Sequence, residues 1–296
     1  MDLVKSPTSL RRWTVASLVA NLVLVFTGGL VRVTASGLGC DTWPQCEAGS
    51  YVPHSEAGAH QFIEFGNRTL TFVLIAIAIA TFVAAWKARD AAGKPRRDLR
   101  ILAFVAGIGI PAQAVIGGLS VLSRLNPWVV SLHLLDSLAI IVVCVALVSR
   151  AYDREPLAVT PVVGWLVRLV FTLGVLVVVL GTVVTGAGPN SGDGGAERNG
   201  LALETVAKVH AGSVWVTLAG LVLLLVLTRG GRAPAVYRAS HIVFGISLLQ
   251  GAIGYAQYFL GNPPALVACH MVGVALFTAA VANLLFCCRL APAPAG

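Results

Sequence analysis

Two stretches, QAVIGGLSVLSRLNPWVVSLH at 113–133 and QGAIGYAQYFLGNPPALVACH at 250–270, align without a gap when the chain is shifted by 137 residues against itself. Gln113 meets Gln250, Ile116 meets Ile253, Gly117 meets Gly254, Pro127 meets Pro264, Val130 meets Val267 and His133 meets His270. Six identities in 21 positions are weak alone. Gln, Gly, Pro and His held in step across two apolar runs and the break between them mark an internal repeat. Upstream, VRVTASG at 31–37 echoes VVTGAG at 183–188. The repeat divides the chain into an N-terminal half, 1–155, and a C-terminal half, 156–296.

Both copies sit in a chain of 296 residues that is 57% hydrophobic and 11% charged, where a soluble domain carries about a quarter charged residues. Apolar runs fall at about 13–33, 62–86, 100–122, 128–149, 162–185, 204–228, 240–260 and 265–288. Each is long enough to cross ~30 Å of hydrocarbon. Backbone groups in lipid must be satisfied internally, so the runs are helices and the chain is an all-α integral membrane protein. Four spans per half is an even number. The copies therefore share one orientation, as two pseudo-symmetric four-helix bundles related by an axis along the membrane normal.

The net charge of +8 is distributed by topology and does not form a nucleic-acid surface. Lys5, Arg11 and Arg12 precede the first span, and Lys87, Arg89, Lys94, Arg96, Arg97 and Arg100 fall between the second and third. Arg150, Arg154, Arg229, Arg232, Arg238 and Arg289 fall on the same side. The positive-inside rule makes that side, and both termini, cytoplasmic. The segment before the first span makes a poor transit peptide and the span is too long for a cleaved signal, so a multi-pass protein of a bacterial plasma membrane is expected. The loop 34–60 then lies outside, and with it Cys40 and Cys46. That compartment permits a disulfide, with two free thiols as the bland alternative. No CxxC spacing is present, which disfavours a thiol oxidoreductase.

His133, His210 and His270 each lie five to seven residues inside the outer end of an even-numbered span, about 8–10 Å below the boundary. A single buried imidazole is most often a helix–helix hydrogen bond. Three at matched depth, two of them related by the repeat, suggest a site. Haem iron takes axial imidazoles from facing helices of a bundle, so His210 and His270 make a candidate bis-histidine pair. The residue matching His210 in the first half is Asn67, an amide and a poor iron ligand. That leaves His133 as the one strong metal donor there. Glu64, one turn before Asn67, has Ala207 as its counterpart, so the carboxylate belongs to the first half alone. Its bland role is an ion pair with Arg68; its functional role is acid–base work in an apolar setting. Arg32, Arg68, Arg124 and Lys208, near the outer ends of spans, are candidates for orienting haem propionates. His60, one turn before Glu64, is a candidate contact to Glu64 or to a haem, and Asp136 lies one turn below His133.

SGLGCDTWPQC at 36–46, followed by IEFGNR at 63–68 and the single histidines of the fourth, sixth and eighth spans, resembles the haem A synthase family over nearly the whole chain. The resemblance implies oxidation of the C8 methyl of haem O to the formyl group of haem A. It implies a haem b cofactor on His210 and His270, substrate haem near His133, a catalytic Glu64 and a disulfide between Cys40 and Cys46. The family pattern usually has histidine where this chain has Asn67. The second outer loop, GAGPNSGDGGAERNG at 186–200, carries no cysteine, so at most one loop disulfide is expected. Membrane lipid, haem O synthase and an electron-transfer protein are the partners of such an enzyme, with oligomerisation left open. The rival reading is a non-catalytic haem carrier or a bis-histidine electron-transfer subunit.

Overall fold

Eight helices of 23 to 29 residues account for the apolar runs. The computed structural model describes residues 8–54 and 58–291; Lys5, both chain ends and residues 55–57 of the outer loop lie outside the described residues. In order the helices are α1 Thr8–Val33, α2 Ala59–Lys87, α3 Arg97–Leu122, α4 Pro127–Ala151, α5 Pro161–Ala187, α6 Leu203–Thr228, α7 Pro234–Phe259 and α8 Pro264–Phe286. All eight are long and apolar enough to cross a membrane. Four of them, α4, α5, α7 and α8, begin on proline. At that position the missing N–H would have had no helical partner. Asn126 caps α4 by accepting from the Trp128 N–H at 3.0 Å.

Two boundaries differ from the sequence expectation. Helix α1 starts at Thr8 and α7 at Pro234, both earlier than the apolar runs. Hydropathy marks the lipid-buried part of a helix, whereas the backbone ladder continues through polar residues such as Arg11 and Arg238 into the interface. Beside the eight helices the described residues hold one short strand pair. Strand β1, Leu157–Val159, pairs in parallel with β2, Cys288–Leu290, with Ala158 opposite Arg289. Three-residue strands leave no periodicity to read, so only the fold reveals them.

Around the array, α1 packs on α2, α2 on α3, α3 on α4, and α4 back on α1. Helices α5 to α8 close a second cycle in the same way, and α1 and α4 meet α8 while α4 also meets α5. The largest buried cluster lies along that seam and into the second cycle. Val25, Leu138 and Ile141 pack there with Val167, Leu221 and Phe277.

The repeat extends to single hydrogen bonds. After α3, Leu125 N–H donates to Ser120 O at 2.7 Å; after α7, Asn262 N–H donates to Gln257 O at 2.7 Å. Arg124 and Leu125 both have left-handed backbone, with φ of +54° and +59°, as do Gly261 and Asn262 at +75° and +61°. One corner has been built twice from different residues.

Candidate functional site

A cavity of about 770 Å³ lies within the first cycle, inside the range of about 300–1,000 Å³ usual for small-molecule and cofactor sites. His133 on α4 and Asn67 on α2 both line it, as does Gln113 on α3. The His133 ring lies over Gly117, where an added Cβ would stand 2.8 Å from its Cε1. Gln113 donates to the His133 backbone oxygen at 3.1 Å and bonds the Ser137 hydroxyl. Three buried atoms of these lining residues, Asn67 Oδ1, Gln113 Oε1 and His133 Nδ1, have no hydrogen-bond partner among the described residues. Buried polar atoms without partners are costly, and three of them belong to residues that wall one cavity.

The wall does not stop at residue 155. Thr182, Thr185 and Gly186 of α5, Gly192 of the following loop and Met271 of α8 also line the cavity. Met271 packs against Gly29 of α1, where a Cβ would lie 3.4 Å from its sulfur. Met271 follows His270 directly, so α8 serves both halves at neighbouring positions.

Glu64 is buried at 5% exposure and lines the same cavity. Its Oε2 accepts from the Cys40 N–H at 2.7 Å. Its Oε1 accepts from Arg68 Nε at 3.1 Å and Nη2 at 2.6 Å. Arg68 in turn donates to the carbonyls of Cys40 at 2.8 Å, Thr42 at 2.9 Å and Gln45 at 3.1 Å. The two side chains thus clamp the loop that the Cys40–Cys46 disulfide closes. Trp43 of that loop lies on Gly118 of α3, where any Cβ would collide with the indole. The i to i+4 ion pair foreseen as the bland role for Glu64 is present, and it is continuous with the loop over the cavity.

The second half is arranged differently. His210 and His270 come from α6 and α8, which stand opposite one another in their cycle. His210 Nδ1–H donates to the Val177 carbonyl at 3.0 Å. That fixes the tautomer and leaves Nε2 as a lone-pair donor, the form in which histidine ligates metals. Both rings lie over glycine: Gly181 beneath His210 and Gly254 beneath His270, at 3.3 Å and 3.5 Å from Cε1 to an added Cβ. His270 Nδ1 is buried without a partner among the described residues. Paired imidazoles seated on glycines, one with its tautomer set, suit the iron of a porphyrin.

The candidate cations separate. Arg32 lines the cavity but donates to Asn190 O at 2.5 Å and Thr185 O at 3.0 Å, bridging the halves. Lys208 is exposed and paired with Glu204 at 2.5 Å. Arg124 is exposed at the corner after α3. His60 is exposed and hydrogen-bonds Ser36 Oγ at 3.0 Å rather than Glu64. Asp136 Oδ2 is buried without a partner among the described residues, and Asp136 is not part of the cavity wall. Sequence reasoning missed the glycines beneath the histidines and the wall residues Met271 and Leu125. The matched pair Gly117 and Gly254 was the available signal.

The model of the COX15-CtaA family, described as cytochrome oxidase assembly protein, matches residues 11–190, a span that includes Cys40, Cys46, Glu64, Asn67 and His133. The chain is similar to the Heme A synthase of Listeria welshimeri, 30% identical over 155 residues, 50% of this chain and 49% of the relative. It is similar to that of Lysinibacillus sphaericus at 30% over 182 residues, 59% and 57% of the two chains. With that of Exiguobacterium sibiricum it shares 31% identity over 174 residues, 56% and 54%. The chain spans about half the length of the curated relatives it matches. With the family model covering well over half of its residues, the chain belongs to the COX15-CtaA family of cytochrome oxidase assembly proteins.

Proposed function

We propose that this protein is a membrane oxidoreductase that converts haem O to haem A, oxidising the C8 methyl to a formyl group through successive hydroxylations. The substrate haem occupies the first-half cavity, and His210 and His270 hold a haem b in the second half, which supplies electron transfer when bound. The reading takes the helix cycles as two parallel four-helix units, 1–155 and 156–296, in a bacterial plasma membrane. Both termini are then cytoplasmic and the disulfide loop is outside. His133 holds the substrate, and the weak amide donor of Asn67 leaves the opposite face accessible. Glu64 gives or takes protons beside the reacting edge, with Arg68 keeping its carboxylate in place. The loop of Cys40 and Cys46 excludes water. Haem O synthase is the partner that such an enzyme requires upstream, and an electron-transfer protein the one it requires for its redox balance.

One observation carries this reading: a buried carboxylate, Glu64, and the His133 imidazole line one cavity large enough for a cofactor-sized ligand. Glu64→Gln tests it, because the amide keeps an acceptor for the Cys40 N–H and removes the proton-transfer group. The expected result is unchanged haem b, accumulated haem O, and haem A lower by about 100-fold or more, the scale of lost acid–base catalysis. Chromatography of extracted haems reads all three. A carrier has support of its own, since both Glu64 oxygens are engaged by Arg68 and Cys40. An unchanged ratio of haem A to haem O in the variant would favour it.

A further inference from the structure

Trp43, Tyr51 and Val52 of the outer loop line the cavity and are exposed, while the helical part of the wall is mostly closed. The lining residues of α1, α4, α5 and α8 are all buried or half-buried. The exceptions among the lining helices are Phe72 and Ile75 on α2 and Pro111 and Val115 on α3, which line the cavity and are also exposed on the outside of the array. Phe72 is 72% exposed, Ile75 38% and Val115 50%. Because α2 packs on α3, the four residues carry the cavity wall to the exposed face of one seam, and the opening is inferred there.

The opening has a definite depth. Measured from the helix ends nearest the disulfide loop at 1.5 Å per residue, His133 lies about 9 Å down, Val115 about 10 Å and Ile75 about 24 Å. The slot therefore begins level with His133 and descends toward the middle of the span. Its rim has no polar side chain, whereas the upper cavity holds Arg32, Arg68 and Glu64. A compact ligand needs only a closed pocket. An apolar slot continuous with lipid suits a ligand carrying a long hydrocarbon chain.

We propose that this slot holds the isoprenoid chain of the substrate haem, so that the porphyrin lies in the cavity while the chain passes between α2 and α3 into the bilayer. The inference rests on the reading of the cavity as the substrate-haem site. Isoprenoid and propionate substituents occupy opposite edges of the porphyrin. Placing the propionates toward the polar upper cavity directs the chain down the slot. The chain then stays in hydrocarbon throughout binding, and a haem without it leaves the slot to lipid.

The test uses the full chain in lipid nanodiscs, titrated with haem O or with protohaem, which lacks the chain, and followed by absorbance. Val115→Trp fills the slot from α3, and Ile75→Trp fills it independently from α2. Each is expected to raise the Kd for haem O by about tenfold while protohaem changes by less than about twofold, since only the chain loses apolar contact. Ile108→Trp, at a residue of α3 that is 55% exposed and outside the cavity wall, should change neither. Equal weakening of both haems, or undiminished haem O binding in both plugged variants, overturns the proposal. So does native mass spectrometry that finds a phospholipid retained in the slot with haem O bound. A wild-type protein that binds neither porphyrin in its first half would instead remove the haem reading of the cavity itself.

Discussion

The corner between α3 and α4 and the corner between α7 and α8 share a backbone but not a chemistry. Both turn through two consecutive left-handed residues, Arg124–Leu125 in one and Gly261–Asn262 in the other. Glycine and asparagine enter this region readily. A side chain such as Arg or Leu held there costs on the order of 1–3 kcal/mol. The first half keeps a shape its residues resist, and the reason lies in what the shape delivers. Leu125 is buried at 7% exposure and lines the cavity. Its Cδ1 would meet a Cβ at Gly37 at 3.1 Å and one at Gly192 at 3.3 Å, so it sits between the two outer loops. Gly37 N–H donates to Gly192 O at 2.8 Å above it. The same contrast is expected deeper, because the repeat sets His210 and Ala207 in the second half against Asn67 and Glu64 in the first. Local rules are obeyed in the half with paired histidines and broken in the half with the cavity, where function is expected to override them.

Making the halves alike should have the largest effect. Asn67→His supplies the imidazole that the repeat would place there. In the proposed function this closes the open face of the substrate iron, giving a low-spin signal in electron paramagnetic resonance. Haem A output should persist, because the family pattern that this chain resembles usually carries histidine at this position, so the effect is read in the spin state. A variant that remains high-spin would show that the two positions are not equivalent.

A second comparison separates the glycines beneath the histidines. An alanine Cβ at Gly117 would stand 2.8 Å from His133 Cε1, whereas at Gly254 the same atom meets His270 at 3.5 Å. The first distance forces the ring to move; the second is ordinary contact. Gly117→Ala is expected to weaken haem binding in the first half by about tenfold, or about 1.4 kcal/mol. Gly254→Ala should leave the haem b absorption spectrum unchanged. Equal effects in titrations of both variants would remove the distinction.

The spans were legible because lipid forces both apolar length and a closed backbone ladder on each of them. The shared corner was legible because its Gln, Gly, Pro and His recur at fixed spacing. Depth placed His133, His210 and His270 correctly relative to their helix ends. What stayed hidden is contact between distant segments. Helical spacing puts His60 on the face of Glu64, but the first turn of α2 gives His60 to Ser36. It identifies Arg68 as a partner for Glu64 and says nothing of the three loop carbonyls that Arg68 also holds. Nor does any pattern within the first half announce that Met271 or Thr185 walls its cavity. Such contacts depend on which face of α1 and α4 meets the second cycle, and one helix period does not specify its neighbour.

The smallest effect isolates backbone strain from chemistry. Arg124 is exposed and its backbone is left-handed, so Arg124→Gly relieves the strain while removing no buried contact. The variant should be more stable by about 1 kcal/mol, a rise of about 2 °C in Tm for a chain of this size. Gly261→Arg, the reverse exchange at the repeat-related position, should lower Tm by a similar amount. Leu125→Gly relaxes the neighbouring residue equally but removes the side chain between Gly37 and Gly192, so it should lose stability despite its easier backbone. If all three exchanges at these corners moved Tm in one direction, the left-handed pair would be a passive inheritance from the repeat. Opposite signs for Arg124→Gly and Leu125→Gly would show that the first half tolerates the strain in order to seat Leu125 beneath its outer loops.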